Sequence, residues 1–320
     1  MSDVIGLVLP FFGLIFLGFA LARLTRQPIE ALGWMNMFIL YLALPALFFK
    51  LLSVTPIERL TETGYIFGAV LATYIVFSLM FAGSLLFSRG AIAESTIKGL
   101  SAAYGNIGYM GPGLALLAFG EDAAVPVALI FCFENVMHFA VAPFMMALAG
   151  GNAMPAGRLA TDVARKILLH PFIVATIVGV GAAALKVQPP AAISTMIDYL
   201  AGAAAPCALF AMGVTLALRP LRRMPREILP ISLLKLVVHP LLAYVVLSLA
   251  GNFDPVWVWS AVLLAALPTA TNVYVIADQY GVWVERASAT ILVTTILSVV
   301  TVTALLYAIK SGALPPDLFP

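Results

Sequence analysis

Long apolar stretches separated by short polar punctuation fill the chain, near residues 3–22, 31–52, 64–88, 97–119, 122–149, 167–186, 192–218, 229–250, 256–280 and 284–309. A helix needs about 20 predominantly apolar residues to cross the hydrocarbon layer of a bilayer, and each stretch is of that order. The runs are apolar on all sides, whereas the strands of a membrane barrel are segments of about ten residues with alternating polarity. The pattern therefore predicts an all-α integral membrane protein with ten transmembrane helices.

Composition agrees. Of the 320 residues, 62% are apolar and 10% charged, against roughly 45–50% and 25% in soluble domains. The mean hydropathy is +1.06. A net charge of +2, with basic residues scattered singly, excludes a nucleic-acid binder. Cys132 and Cys207 lie inside apolar runs and read as small core fillers. The start, Met1-Ser2-Asp3, lacks the basic region of a cleaved signal, so the first helix is expected to stay in the mature protein.

Charge asymmetry sets an expected orientation. Twelve basic residues follow odd-numbered spans (Arg23, Arg26, Arg89, Lys98, Arg158, Arg165, Lys166, Arg219, Arg222, Arg223, Arg226 and Arg286), and four follow even-numbered ones (Lys50, Arg59, Lys186 and Lys310). Both termini are thus expected on the non-cytoplasmic face of the inner, or cell, membrane.

A shift of 161 residues maps Pro10-Phe11 onto Pro171-Phe172, Gly18 onto Gly179, Pro45 onto Pro206 and Phe49 onto Phe210. One register divides the ten spans into five plus five: a first repeat over 1–150, a cytoplasmic linker over 151–165 and a second repeat over 166–320. An odd number of helices per repeat inverts the second copy. Inverted repeats are the plan of many secondary transporters, with the site near the bilayer midplane.

Both fourth members of the repeats are interrupted. Span 4 carries Tyr104-Gly105-Asn106-Ile107-Gly108-Tyr109-Met110-Gly111-Pro112-Gly113, and span 9 carries Leu267-Pro268-Thr269-Ala270-Thr271-Asn272-Val273. Glycine and proline strip helix propensity and hydrogen bonds. Non-helical backbone at membrane depth survives only where protein or water satisfies it. The paired breaks predict a substrate cavity using Asn106, Gly108, Gly111, Pro112, Pro268, Thr271 and Asn272, with freed amides suited to a carboxylate and freed carbonyls to a cation. Simple structural kinking is the alternative.

Tyr41-Leu42-Ala43-Leu44-Pro45-Ala46-Leu47, the span 4 break, His170-Pro171-Phe172, Lys235 through Leu241 and Leu267 through Ile276 together resemble the auxin efflux carrier family of bacteria and plants, over essentially the whole chain. That resemblance implies the fold shared with bile acid:sodium symporters. Broken helices 4 and 9 would cross in a transport domain of helices 3–5 and 8–10, moving against a scaffold of helices 1, 2, 6 and 7. The family's crossover residues carry over to Asn106, Pro112, Pro268 and Asn272. The long loop of plant members between helices 5 and 6 is missing, since only about Gly150 to Arg165 stand there, so regulation through it is not inherited.

Buried polar residues supply coupling candidates. Glu134 lies about twelve residues into span 5, close to the expected midplane, where an ionised carboxylate costs about 2.5–3.5 kcal/mol on insertion scales. His138 shares its helix face, and the pair reads either as a proton site or as a fixed structural contact, with Asn135 adjacent. Lys235 and His239 repeat the spacing on span 8, with Lys235 either snorkelling to an interface or pairing with an acid or anionic substrate. Asp278 near one end of span 9 is a relay candidate or an interfacial group, and His170 reads as a helix-boundary residue.

The expected function is secondary transport of a small organic anion, a carboxylate of the malate or malonate type or an auxin-like acid, by alternating access. Protons are the expected coupling ion, with sodium symport as the alternative. No other cofactor and no metal are expected; the partners are the substrate, the lipid bilayer and a second copy through the scaffold helices. No GxSxG serine, HExxH zinc site or GxxxxGK[ST] loop occurs, which argues against an intramembrane enzyme and against primary transport by this chain alone. A channel would show filter segments or charged rings, which paired breaks do not resemble.

Overall fold

The computed structural model describes residues 2–56, 62–87, 91–150, 156–218, 224 and 226–318. Arg59, Arg89, Arg219, Arg222 and Arg223 of the charge count, and the linker residues 151–155, lie outside them. The described residues are mainly helical and form no strand beyond one isolated antiparallel bridge.

In chain order the helices are α1 (Ser2–Thr25), α2 (Ile29–Leu52), α3 (Thr63–Phe87), α4 (Ile92–Ala103), α5 (Gly111–Phe119), α6 (Ala124–Leu148), α7 (Ala156–Leu168), α8 (Pro171–Leu185), α9 (Ala191–Leu218), α10 (Ile228–Ala250), α11 (Pro255–Ala266), α12 (Thr271–Tyr280) and α13 (Val284–Lys310). Six helical runs among the described residues are long and apolar enough to cross a membrane, and shorter apolar helices stand at Leu9–Thr25, Pro171–Leu185 and Pro255–Ala266. The protein is a multi-pass membrane protein. The segment read as a linker is not loop throughout: α7 occupies its second part, carrying Arg158, Arg165 and Lys166.

Two helices contain a widened π turn just before a proline, Ile39–Ala43 ahead of Pro45 in α2 and Leu234–Val238 ahead of Pro240 in α10. A proline ring crowds the preceding turn and removes a donor, and one extra residue in that turn relieves the clash. The α10 turn holds Lys235, buried within it.

Contacts group the chain into two compact units. The first comprises residues 1–63, 108–132 and 168–219. There α1 packs on α9, and α2 on α8 and α9. The closest approaches are made by glycine: Gly18 lies on the Phe210 carbonyl, Gly213 on the Ile15 carbonyl, and Gly179 on Phe49, where an added methyl would sit 3.3 Å from Phe49 Cα. The 161-residue shift relates the Gly18–Phe210 contact to the Gly179–Phe49 contact. Phe48, Phe131 and Phe172 form an aromatic cluster with centroids 4.7–5.8 Å apart. Phe131 and Gly113, whose added methyl would meet Ala205 Cβ at 2.6 Å, are the reason that residues 108–132 group here and not with the rest of spans 4 and 5.

The second unit comprises residues 64–107, 133–167 and 220–320. Its core joins Val76, Phe77, Ile97, Leu100, Tyr104, Ala142, Val273 and Ala287. At one end Lys98, 3% exposed, binds Glu227 Oε1 at 2.6 Å and Glu94 Oε1 at 2.8 Å, and Arg286 stands 3.7 Å from Glu94. Burial works to raise the Glu227 carboxyl, but the Lys98 hydrogen bond, its own backbone amide and the charges of Lys98 and Arg286 hold it below the usual carboxylate range.

Two outcomes test this packing. Gly213→Ala will lower the melting temperature sharply, at a cost of about 3 kcal/mol for forcing a methyl against backbone, whereas Gly202→Ala, with nothing within 4 Å, will melt like wild type. Glu227→Gln will lower the melting temperature at neutral pH. A depressed folded pKa contributes stability above the unfolded pKa and loses it as pH falls through the folded value, so the gap between Glu227→Gln and wild type will close in acid.

Candidate functional site

The interruptions written into spans 4 and 9 are non-helical segments. α4 stops at Ala103 and α5 begins at Gly111; α11 stops at Ala266 and α12 begins at Thr271. Within the second unit, the extended ends 104–106 and 268–270 pair antiparallel. The Asn106 amide donates to the Pro268 carbonyl at 2.8 Å, and the Ala270 amide to the Tyr104 carbonyl at 2.9 Å. The Thr269 hydroxyl donates to the Ser101 carbonyl at 2.7 Å, and its amide to Thr294 Oγ1 at 3.2 Å. Each break thus supplies the hydrogen bonds that the other lost, as buried backbone requires.

A polar layer surrounds this bridge. Tyr104 Oη donates to Asn135 Oδ1 at 2.6 Å and accepts from Asn272 Nδ2 at 2.8 Å. The His138 ring stacks on Tyr104 with centroids 3.9 Å apart, and its Nδ1 lies 3.1 Å from Tyr74 Oη. His138 Nε2 is buried with no hydrogen-bond partner among the described residues. Asn106 is 2% exposed.

Lys235 is fully buried, not snorkelled to an interface. Its Nζ donates to the Ala265 carbonyl at 2.5 Å and lies 3.0 Å from His239 Nδ1. It also lies 3.3 Å from the position that a methyl on Gly105 would take, so the glycine beside the bridge is what leaves room for the amine. On the other edge of the imidazole, His239 Nε2 lies 3.0 Å from Thr73 Oγ1, which donates to Glu134 Oε1 at 2.6 Å. Glu134, Thr73, His239 and Lys235 therefore form one continuous hydrogen-bonded line.

The predicted residues divide accordingly. Asn106, Pro268, Thr271, Asn272, Glu134, His138 and Lys235 belong to the second unit, as does Asp278, but Asp278 is exposed on α12 and joins none of the contacts just described. Gly108, Gly111 and Pro112 belong to the first unit: Gly108 stands against Phe131, and Gly111 and Pro112 open α5. Glu134 and His138 share a face but engage different partners, Thr73 and the two tyrosines Tyr74 and Tyr104. His170 stands at the N-terminal boundary of α8 beside Phe172.

Sequence reasoning missed Thr73, Tyr104 and Thr269. A threonine in an apolar helix ordinarily bonds back to the preceding turn, as Thr73 also does to the Ala69 carbonyl at 3.2 Å, and nothing in its neighbours betrays the second partner. Tyr104 carried a signal, being the last residue before the Gly105 break.

Replacing Tyr104 with Phe leaves Asn135 and Asn272 each short of a bond. The cost should be about 1–3 kcal/mol, measurable as a lower melting temperature, and Tyr104→Leu should cost more through the lost stack on His138.

Comparison with known proteins places these features in context. Residues 156–306 match the family model described as membrane transport protein. A protein of Rhizobium meliloti (strain 1021), named "Putative malonate transporter", is 65% identical over 320 residues, covering 100% of both chains. An "Uncharacterized transporter" of Methanothermobacter thermautotrophicus is 25% identical over 90% of this chain and 92% of its own. The "Uncharacterized transporter YfdV" of Escherichia coli (strain K12) is 24% identical over 95% of this chain and 96% of its own.

Proposed function

The chain belongs to the membrane transport protein family, that of the auxin efflux carriers, and from that premise we propose that it is a proton-coupled secondary carrier of a small dicarboxylate of the malonate class. It is a membrane transporter and not an enzyme. The observation that carries the finer reading is the pair of opposite ionisable groups, Lys235 and Glu134, buried in one unit beside the bridged breaks. Burying an ammonium is costly unless something compensates it. A carrier for an anion gives such a cation a use, and a carboxylate linked to it gives the coupling proton a place. The name of the 65% relative supports malonate as the first substrate to try.

The same reading takes the ten spans as a five-plus-five inverted repeat. The reciprocal contacts Gly18–Phe210 and Gly179–Phe49 support it, because one shift of 161 residues converts each into the other. In it, helices 3–5 and 8–10 carry the substrate against a scaffold of helices 1, 2, 6 and 7; the two compact units support that division except at residues 108–132 of helices 4 and 5, which group with the scaffold helices. Asn106 and Asn272 hold the carboxylate beside the crossover. Both termini face away from the cytoplasm of the inner membrane, on the twelve-to-four distribution of basic residues.

Purified protein reconstituted in liposomes tests the proposal. With acid outside, labelled malonate will accumulate, a protonophore will abolish the accumulation, and replacing sodium with choline will leave it intact. Uptake that needs sodium would replace the proton with that ion, and no uptake of malonate would remove the substrate class. Asn106→Ala and Asn272→Ala should each lose about tenfold or more in uptake, one hydrogen bond to a charged group being worth about 1.5–3 kcal/mol, while remaining monodisperse.

A further inference from the structure

We propose that Lys235, His239, Thr73 and Glu134 form a reversible proton chain, in which His239 and Thr73 carry a proton between the buried amine and the buried carboxylate and reverse direction together. The proposal deepens the proton-coupled reading by assigning its path, and it rests on that reading only for the use of the path.

The geometry permits two arrangements with all three links of the line kept. In the first, the Lys235 ammonium donates to His239 Nδ1, His239 Nε2–H donates to Thr73 Oγ1, and the Thr73 hydroxyl donates to the Glu134 carboxylate across the 3.0, 3.0 and 2.6 Å links. An ammonium has no acceptor and a carboxylate no donor, so the charged pair fixes this direction and the Nε2–H tautomer. In the second, the Glu134 acid donates to Thr73 Oγ1, the Thr73 hydroxyl to His239 Nε2, and His239 Nδ1–H to the lone pair of a neutral Lys235 amine. The conversion balances: N–H at Lys235, N–H at His239 Nε2 and O–H at Thr73 break, and N–H at His239 Nδ1, O–H at Thr73 and O–H at Glu134 form. No proton enters or leaves.

The reversal changes the chemistry open to Lys235. Once His239 Nδ1 carries hydrogen, it repels an ammonium instead of accepting from it. A proton arriving at the Lys235 amine therefore produces an ammonium released from His239, still held by the Ala265 carbonyl and next to Gly105 of the bridge. That cation is free to take a carboxylate. One proton and one carboxylate group of the substrate are taken up together, as a symporter requires, and neither ionisable group is left buried without a partner. The other titratable groups facing the chain are His138 of α6, Tyr65 and Tyr74 of α3, and Tyr104. His138 makes its bond to Tyr74, outside the line.

The signature is the tautomer of His239, readable without substrate. Nitrogen-15 NMR of the whole chain in lipid bilayers, labelled on its three histidines and assigned with His239→Gln, should show hydrogen on Nε2 at alkaline pH and on Nδ1 at acid pH. Thr73→Ser should keep the reversal, and Thr73→Val and Glu134→Gln should hold His239 in one tautomer at every pH. A single tautomer throughout in the wild type, an imidazolium at acid pH, or a wild-type reversal in Thr73→Val would each overturn the chain. Malonate and proton flux in liposomes decide the other question separately: coupled flux with a fixed tautomer leaves the function standing without this path, and a reversing tautomer without coupled flux leaves the path standing without that function.

Discussion

Everything in the second unit depends on one constraint: a peptide group removed from water must find a partner, and lipid offers none. Two helices broken by glycine and proline would each leave several such groups unmet. Their uncapped ends meet as a short antiparallel bridge, and Asn106, Ala270 and the side chain of Thr269 close the bonds that α4 and α11 abandon. The bridge is therefore the condition on which the breaks exist. What it leaves over is room, since Gly105 presents no side chain toward Leu264 and Lys235.

That room explains how a lysine comes to be buried in so apolar a chain. Long cations in membrane helices ordinarily stretch their heads to an interface. Lys235 instead lies buried in a π turn, and its head meets the Ala265 carbonyl, an acceptor released where α11 ends. Proline has a hand in both features. Pro240 imposes the widened turn, and Pro268 keeps span 9 from continuing as helix. The cation is thus placed by backbone defects in two different helices, and a regular helix at either position would leave it without a site.

Much of this was legible in the sequence, and the part that was not has a common cause. Span positions, the interruptions at Gly105–Gly113 and Leu267–Val273, and the isolation of Glu134 and Lys235 all follow from local composition, which a single chain displays directly. The partners do not, because they are fixed by which faces of separate helices meet. Glu134 and His138 are four apart and suggested a pair, yet the carboxylate turns to Thr73 and the imidazole to Tyr74 and Tyr104. Lys235 and His239 are also four apart and do bond. Identical spacing gives opposite outcomes because spacing sets only what is within reach. Asp278 shows the same limit from the other side: its place near the end of an apolar span left a relay and an interfacial group both open, and only the packing shows it exposed near the end of α12.

A buried ion pair is weak evidence for stability, because desolvation consumes most of what attraction returns. Separating the two charges by a histidine and a threonine makes the arrangement poorer still as a stabilising device, since each link weakens the direct attraction and adds a group to be ordered. A protein selected only to fold would do as well with apolar residues of the same volume at Glu134 and Lys235. What the spacing gains is the ability to change direction: both inner members of the line, an imidazole and a hydroxyl, can donate or accept, and the two outer members are the ones whose charge decides which. Such a line costs stability and provides two states of equal bonding, and in a transporter that must visit two states in every cycle this is where such a cost returns a function.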